Sequence, residues 1–150
     1  MKQMKIIATL TVFLSFGIFV NLTFAESVGI IKYRQNVMKS TGAHMGAIVD
    51  ILKNRLPLEA HLLDHARSIS QNSKMTLAMF PKGSALGKTK AKADIWKNWS
   101  QFENAVNAFV RESTKLVKIV ESGDMKAFTK QFRTTGKTCG GCHKNFRERD

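Results

Sequence analysis

Cys139-Gly140-Gly141-Cys142-His143, near the end of the 150-residue chain, is the stretch from which the rest can be read. C-x-x-C-H is the pattern of c-type haem attachment, in which two thiols add across the two vinyl groups and the adjacent imidazole reaches the iron from one face. The spacing has a physical reason. On a helix, positions i and i+3 project from one face, so both sulfurs meet one porphyrin edge. His143, at i+4 from Cys139, then comes under the metal.

Other readings of the two cysteines fit less well. A structural zinc site asks for four ligands, usually two C-x-x-C pairs or one with a histidine pair nearby. This chain has no third cysteine, and His61 and His65, although spaced i,i+4, precede Cys139 by about seventy residues. A thioredoxin-like pair needs a βαβ setting, and no strand pattern precedes Cys139. A disulfide inside C-x-x-C would close a very small loop and contribute little stability.

The other end of the chain agrees with this chemistry. Lys2 and Lys5 form a positive n-region, Ile6 to Val20 is an uncharged apolar run, and Thr23-Phe24-Ala25 offers small residues where a signal peptidase cuts. Residues 1–25 therefore read as a secretory signal, with a single membrane anchor as the lesser reading, and 26–150 as one domain. The Asn21-Leu22-Thr23 sequon falls inside the segment expected to be lost. Export suits covalent haem, which is joined to its protein outside the bacterial inner membrane. It also suits two cysteines that become thioethers rather than a disulfide in an oxidising compartment.

The chain is basic, with 24 Lys and Arg against 11 Asp and Glu. Without Lys2 and Lys5 the balance is 22 against 11, a net of +11. An exported protein with no aromatic-interleaved basic stripe is not a nucleic-acid binder. The surface is a solvated basic one, or one that steers the protein toward an acidic redox partner or an anionic membrane.

Between the ends the chain reads as helices, with proline only at Pro57 and Pro81 and no β-branched alternation. A first helix is expected from Val28 to Leu52, with Ile31, Met38, Met45 and Leu52 every seven residues and Arg34, Thr41 and Ile48 between them. A second is expected from Pro57, suited to a first helical position, through Leu62, Ala66 and Ile69. The stretch from Phe80-Pro81 to Lys92, with two glycines and four lysines, is expected to be a mobile loop. A third helix, capped by Asp94, should carry Ile95, Trp96, Trp99, Phe102, Val106, Phe109, Leu116 and Val120 at core spacing. Ser122-Gly123-Asp124 separates it from a fourth, with Phe128, Phe132, Cys139, Cys142 and Phe146. Four amphipathic helices with mostly short loops predict an all-α, antiparallel four-helix bundle. The haem would lie among the helices, held by the fourth and facing the first. No internal repeat is present.

The chain resembles the class II cytochromes c, the family of cytochrome c prime and its low-spin relatives. The likeness rests on Tyr33-Arg34-Gln35 followed by Met38, on Phe80-Pro81-x-Gly83-Ser84, on Ile95-Trp96, and on Cys139-x-x-Cys142-His143-x-x-Phe146-Arg147. A haem motif at the C-terminal end separates this family from class I cytochromes c. The resemblance implies a periplasmic bundle, often a homodimer, with one covalent haem c, no membrane span after signal cleavage, and His143 as proximal iron ligand. It gives Arg34 a place near a propionate and Arg147 a place on the proximal side, beside the imidazole or against a propionate. Met38 falls at the family position facing the open side of the iron, where some members ligate through methionine and others leave the iron five-coordinate. Phe80 would wall the haem. Met45 reads as core packing, and His44, His61 and His65 as ordinary helix residues.

Two functions follow. Iron held by His143 and Met38 suits electron transfer, since the coordination persists in both oxidation states and methionine raises the potential. If Met38 stays unbound, an open position behind apolar side chains suits nitric oxide or carbon monoxide, for storage, detoxification or sensing. An enzyme is not expected. A peroxidase-like site would need a distal acid–base group, which His44 supplies only if it faces the iron.

Overall fold

Apolar positions three and four residues apart run through the chain. The computed structural model, which describes residues 24–149, folds them into helices. α1 spans Phe24–Asn54, α2 Leu62–Met75, α3 Asp94–Lys97, α4 Trp99–Glu121 and α5 Met125–Phe146, with 3-10 turns at Glu59–His61 and Leu77–Met79. The four long helices form the expected bundle and α3 is a short extra piece. Most of the signal expected at 1–25 lies outside the described residues. Among the described residues, no helix is long and apolar enough to cross a membrane.

Bonds between helices fix their directions. Tyr33 Oη reaches Met75 Sδ at 3.7 Å, and His44 meets His65 farther along, so α1 and α2 run antiparallel. Ser73 Oγ lies 3.0 Å from Ser113 Oγ, and Arg67 pairs with Glu121 at 2.9 Å, which makes α2 and α4 antiparallel. Gln131 Nε2 donates to Glu112 O at 3.0 Å, and Phe102 meets Phe146 edge-on at 5.4 Å, so α5 reverses α4. By this sequence of reversals α1 and α5 are antiparallel too. Each neighbouring pair packs closely except α1 and α5, whose backbones stay apart.

Two apolar clusters fill the bundle. One holds Ile48 and Ile51 of α1, Leu62, Ala66 and Ile69 of α2, Phe109 and Leu116 of α4, and Phe128 and Phe132 of α5. The other, toward the opposite end, holds Val37, Met79, Phe80, Ile95, Phe102, Val106 and Phe146. Each Val, Leu, Ile, Phe or Met side chain among them contributes about 1.5–3 kcal/mol when fully buried. The buried stripe of α1 runs through Ile31, Arg34, Val37, Thr41, Ile48 and Ile51, with Met38, Met45 and Leu52 half-buried beside it.

Helix ends depart from the sequence reading in three places. Pro57 is not the first residue of a helix: it precedes the 3-10 turn, and α2 starts at Leu62. Asp94 does not cap. It lies inside α3, whose N-cap, Ala93, has no side chain to bond the first turn. The third helix is also broken at Asn98 (φ −119°, ψ 47°). The break lets Trp96 Nε1 donate to Phe80 O and Pro81 O at 3.1 and 3.0 Å, and it leaves Trp99 at 37% exposure rather than in the core. The Ser122-Gly123-Asp124 signal holds, and α1 runs past the expected Leu52 to Asn54. Arg55, left-handed at φ 51°, ends α1 while Leu56 N–H bonds Ile51 O at 3.1 Å. Gly123 (φ 76°) ends α4, and the Asp124 carboxylate caps α5 by accepting from Ala127 N–H at 2.8 Å.

The loop from Phe80 to Ala93, expected to be mobile, is strapped down. Lys92 N–H bonds Phe146 O at 3.0 Å and Glu148 N–H bonds Lys90 O at 2.8 Å, an isolated bridge just beyond the C-x-x-C-H turn. Gln35 Nε2 donates to Lys88 O at 2.9 Å. Gly87, at φ 119°, lies where a Cβ would stand 3.2 Å from Ile31 Cδ1, so only glycine fits without strain.

Candidate functional site

Because α1 and α5 do not close on one another, a cleft of about 630 Å³ opens at the end of the bundle that holds the second cluster. Its size is that of an ordinary cofactor site. Cys142, His143, Phe146 and Arg147 line it from α5 and its end, Arg34, Gln35, Met38 and Lys39 from α1, and Phe80, Thr89 and Lys90 from the loop. Ile95 and Phe102 add apolar wall. Cys139 lies one turn back, packed with Met45 against the first cluster.

Both cysteines are free thiols and half-buried. Burial pushes the Cys139 thiol up, and burial followed by the neighbouring Cys139 pushes Cys142 up to about 11. Such thiols are protonated at neutral pH, unlike the acidic thiolate of a redox pair. His143 sits on the cleft wall, and partial desolvation, then the Arg147 charge, hold it below the usual imidazole value. It is therefore neutral at pH 7, the form that binds a metal ion.

Met38 lines the same cleft from α1. A Cβ built on Gly136 would lie 3.6 Å from Met45 Cε, so the Met45 side chain of α1 reaches α5 beside Gly136. In antiparallel helices, seven residues back on α1 and seven forward on α5 are the same rise, about 10 Å on each. That brings Met38 to within about one turn of the level of His143, and both line the cleft.

Arg34 is the cation to which the family resemblance gives a place near a propionate. It is 3% exposed. Its guanidinium donates to Met79 O (3.2 Å), Ser84 Oγ and Ser84 O (both 3.3 Å) and Thr89 Oγ1 (2.9 Å), and it lies 4.4 Å over the Phe80 ring. These partners are neutral groups. Burial lowers its pKa, and the charge is offset by dipoles and a ring face rather than an anion. Phe80 is buried as a wall, edge-on to Phe102 at 4.8 Å. Arg147 is the exposed C-cap of α5, its N–H bonded to His143 O at 3.1 Å. His44 is turned to α2 and does not line the cleft, so a distal acid–base role for it has no support.

The sequence reading missed Gln35, Lys39, Thr89 and Lys90 as lining residues. Loop residues carry no periodicity, and Lys39 differs from other surface lysines only by facing the cleft. The residues suit a haem. Two thiols and a neutral imidazole share one helix, the opposite walls are aromatic and aliphatic, and a buried cation without a described anion can meet a propionate.

A four-helix bundle with C-x-x-C-H on a helix that walls an apolar cleft defines a c-type haem protein. The cytochrome c' family model matches residues 29–147. The chain is 32% identical over 148 residues to cytochrome c' of Rhodospirillum rubrum, covering 98% of this chain and 99% of that one. Among solved structures it is similar to cytochrome c prime from Shewanella frigidimarina, at 29% identity and TM-score 0.79, with 85% of this chain and 100% of that one covered. It is also similar to the nitric oxide complex of a variant of cytochrome c prime from Alcaligenes xylosoxidans, at 25% identity and TM-score 0.78 with the same coverage. The chain belongs to the cytochrome c' family, the class II cytochromes c, and its cofactor is covalent haem c.

Proposed function

We propose that this protein is an exported, periplasmic electron carrier. Its one haem is tied to Cys139 and Cys142, with His143 as proximal and Met38 as sixth ligand. The observation that supports this most is that Met38 of α1 and His143 of α5 line one cleft. When bound, the haem supplies one-electron chemistry at its iron. The chain's residues do the rest. The two helices hold the methionine and the histidine so that little rearranges when charge changes. Phe80, Ile95, Phe102 and Phe146 exclude water. Arg34, and Arg147 beside the imidazole, offer cations to the propionates. Lys39 and Lys90 on the cleft wall, with Lys82, Lys88 and Lys92 in the loop, give a basic rim for an acidic redox partner. The family habit of dimerising extends to this chain in the same reading. It is a carrier, not an enzyme.

The second reading is a five-coordinate iron that binds nitric oxide or carbon monoxide, with Met38 as apolar wall. The similarity to a cytochrome c prime that forms a nitric oxide complex favours it. Absorption spectra of the oxidised and reduced holoprotein separate the two. Electron transfer through Met38 requires six-coordinate, low-spin iron, a spectrum altered by Met38→Leu, and no carbon monoxide binding until that replacement is made. A high-spin spectrum unchanged in Met38→Leu, with carbon monoxide binding to the parent, gives the gas-binding reading.

A further inference from the structure

The outer face of α5 carries a row of cations that the haem site does not use. Between Met125 and Phe146 the helix holds Lys126, Lys130, Arg133, Lys137 and Lys144, and no Asp or Glu. Each residue turns a helix by about 100°. Measured from Lys126, the other four fall at about 40°, −20°, 20° and 0°, so the five form one straight rail about 27 Å long. The buried residues of the helix are Phe128, Gln131, Phe132, Thr135 and Phe146. On the same scale they fall between about 140° and 240°. The rail therefore points away from the core, and Cys142, at about 160°, carries the haem attachment on the other side of the helix.

All five residues are exposed, and among the described residues none of them is ion-paired. The first four border a shallow depression whose one carboxylate, Asp124, is turned to the Ala127 N–H as the cap of α5. Like charges at i,i+4 cost a helix stability, a cost that an anionic surface laid against them removes. The rail also lacks what a protein interface uses. Such interfaces centre on aromatic and apolar anchors, and none of the exposed large hydrophobic side chains of this structure lies on α5. A bare, straight row of cations suits a surface that is anionic throughout and asks for no register, as an anionic bilayer is. We propose that the α5 rail docks this protein on the anionic phospholipid surface of a membrane, by charge alone and without insertion. Among the described residues no helix could cross a membrane, so the attachment is peripheral. The docked protein keeps the haem side of α5 and the basic loop free for a redox partner. The inference rests on the reading of the chain as exported, and nothing in it depends on how the haem iron is ligated.

The test is co-sedimentation of the haem-loaded protein with vesicles of phosphatidylglycerol and phosphatidylcholine, and with vesicles of phosphatidylcholine alone. The expected result is binding to the first and not the second, lost on raising the salt. A basic residue near such a surface is worth about fivefold in affinity. The triple variant Lys130→Gln, Arg133→Gln, Lys137→Gln should therefore bind about a hundredfold more weakly. A control removes the same charge from α1 and α2, as Lys32→Gln, Lys53→Gln, Lys74→Gln, and should lose less than about fivefold. Far-UV dichroism and the haem spectrum establish that both variants are folded. Equal losses in the two variants would overturn the rail, since net charge alone would then account for binding. So would vesicle binding that survives in the rail variant. A parent protein that binds polyglutamate but not the anionic vesicles would overturn the membrane and give the rail to an acidic protein. Each of these failures leaves the electron-carrier reading, which the absorption spectra test, as it stands.

Discussion

Replacing Arg34 by alanine tests whether the loop from Phe80 to Ala93 is held by the bundle or merely lies on it. The guanidinium makes four hydrogen bonds into this region, to oxygens of Met79, Ser84 and Thr89. Two of the acceptors keep other partners, since Ser84 Oγ donates to Pro81 O at 2.8 Å and Thr89 Oγ1 accepts from Ala91 N–H at 3.1 Å. The carbonyls of Met79 and Ser84, both buried residues, are left facing the gap. Stranding a buried acceptor costs about 1–3 kcal/mol. Part of that is offset, because a guanidinium whose burial lowers its pKa is no longer held out of water. The expected net loss is about 2–4 kcal/mol, or roughly 6–15 °C in melting temperature for a domain of this size. Arg34→Lys keeps the charge but not the planar fork and should lose about half as much. Urea unfolding followed by far-UV dichroism gives the free energy, and amide exchange of the loop shows where it was lost. A loss below about 1 kcal/mol with unchanged exchange between residues 84 and 92 would refute the strap.

Further expectations concern other residues. Cys139→Ala and Cys142→Ala should each keep haem through one thioether, and the double variant should show the mass of the bare polypeptide with haem extractable by solvent. The His65 pKa is lowered in the folded protein, so below about 6.5 the unfolded chain takes up a proton more readily than the folded one. Stability should therefore fall as pH drops below that value, and His65→Gln should flatten the urea midpoint against pH in the window from 7 to 5. Arg55, left-handed at φ 51°, occupies a position that favours glycine, and Arg55→Gly should raise stability by about 0.5–1 kcal/mol in the same assay.

Local chemistry made much of this protein legible in advance. C-x-x-C-H is a covalent requirement written in five consecutive residues, and helical spacing of apolar residues is set within one or two turns. Leu62, Ala66 and Ile69, read as a core face, are buried, and Ser122-Gly123-Asp124 does end one helix and cap the next. Met38 and Arg34 were placed near the haem by likeness to a family, and both line the cleft.

What the sequence determined by itself was the attachment chemistry, the helices and their approximate ends, because each depends on residues that are neighbours along the chain. Only the tertiary structure decided the rest. It gave Arg34 its partners at Met79, Ser84 and Thr89, met His44 with His65, and paired the fully buried Ser73 with Ser113. It also broke the third helix at Asn98 so that Trp96 could hold the loop. These contacts join residues far apart in the chain, and periodicity says which face is buried but not which residue of another helix it will meet. The space between α1 and α5 is of the same kind, since it exists only because two helices that could have packed together stay apart.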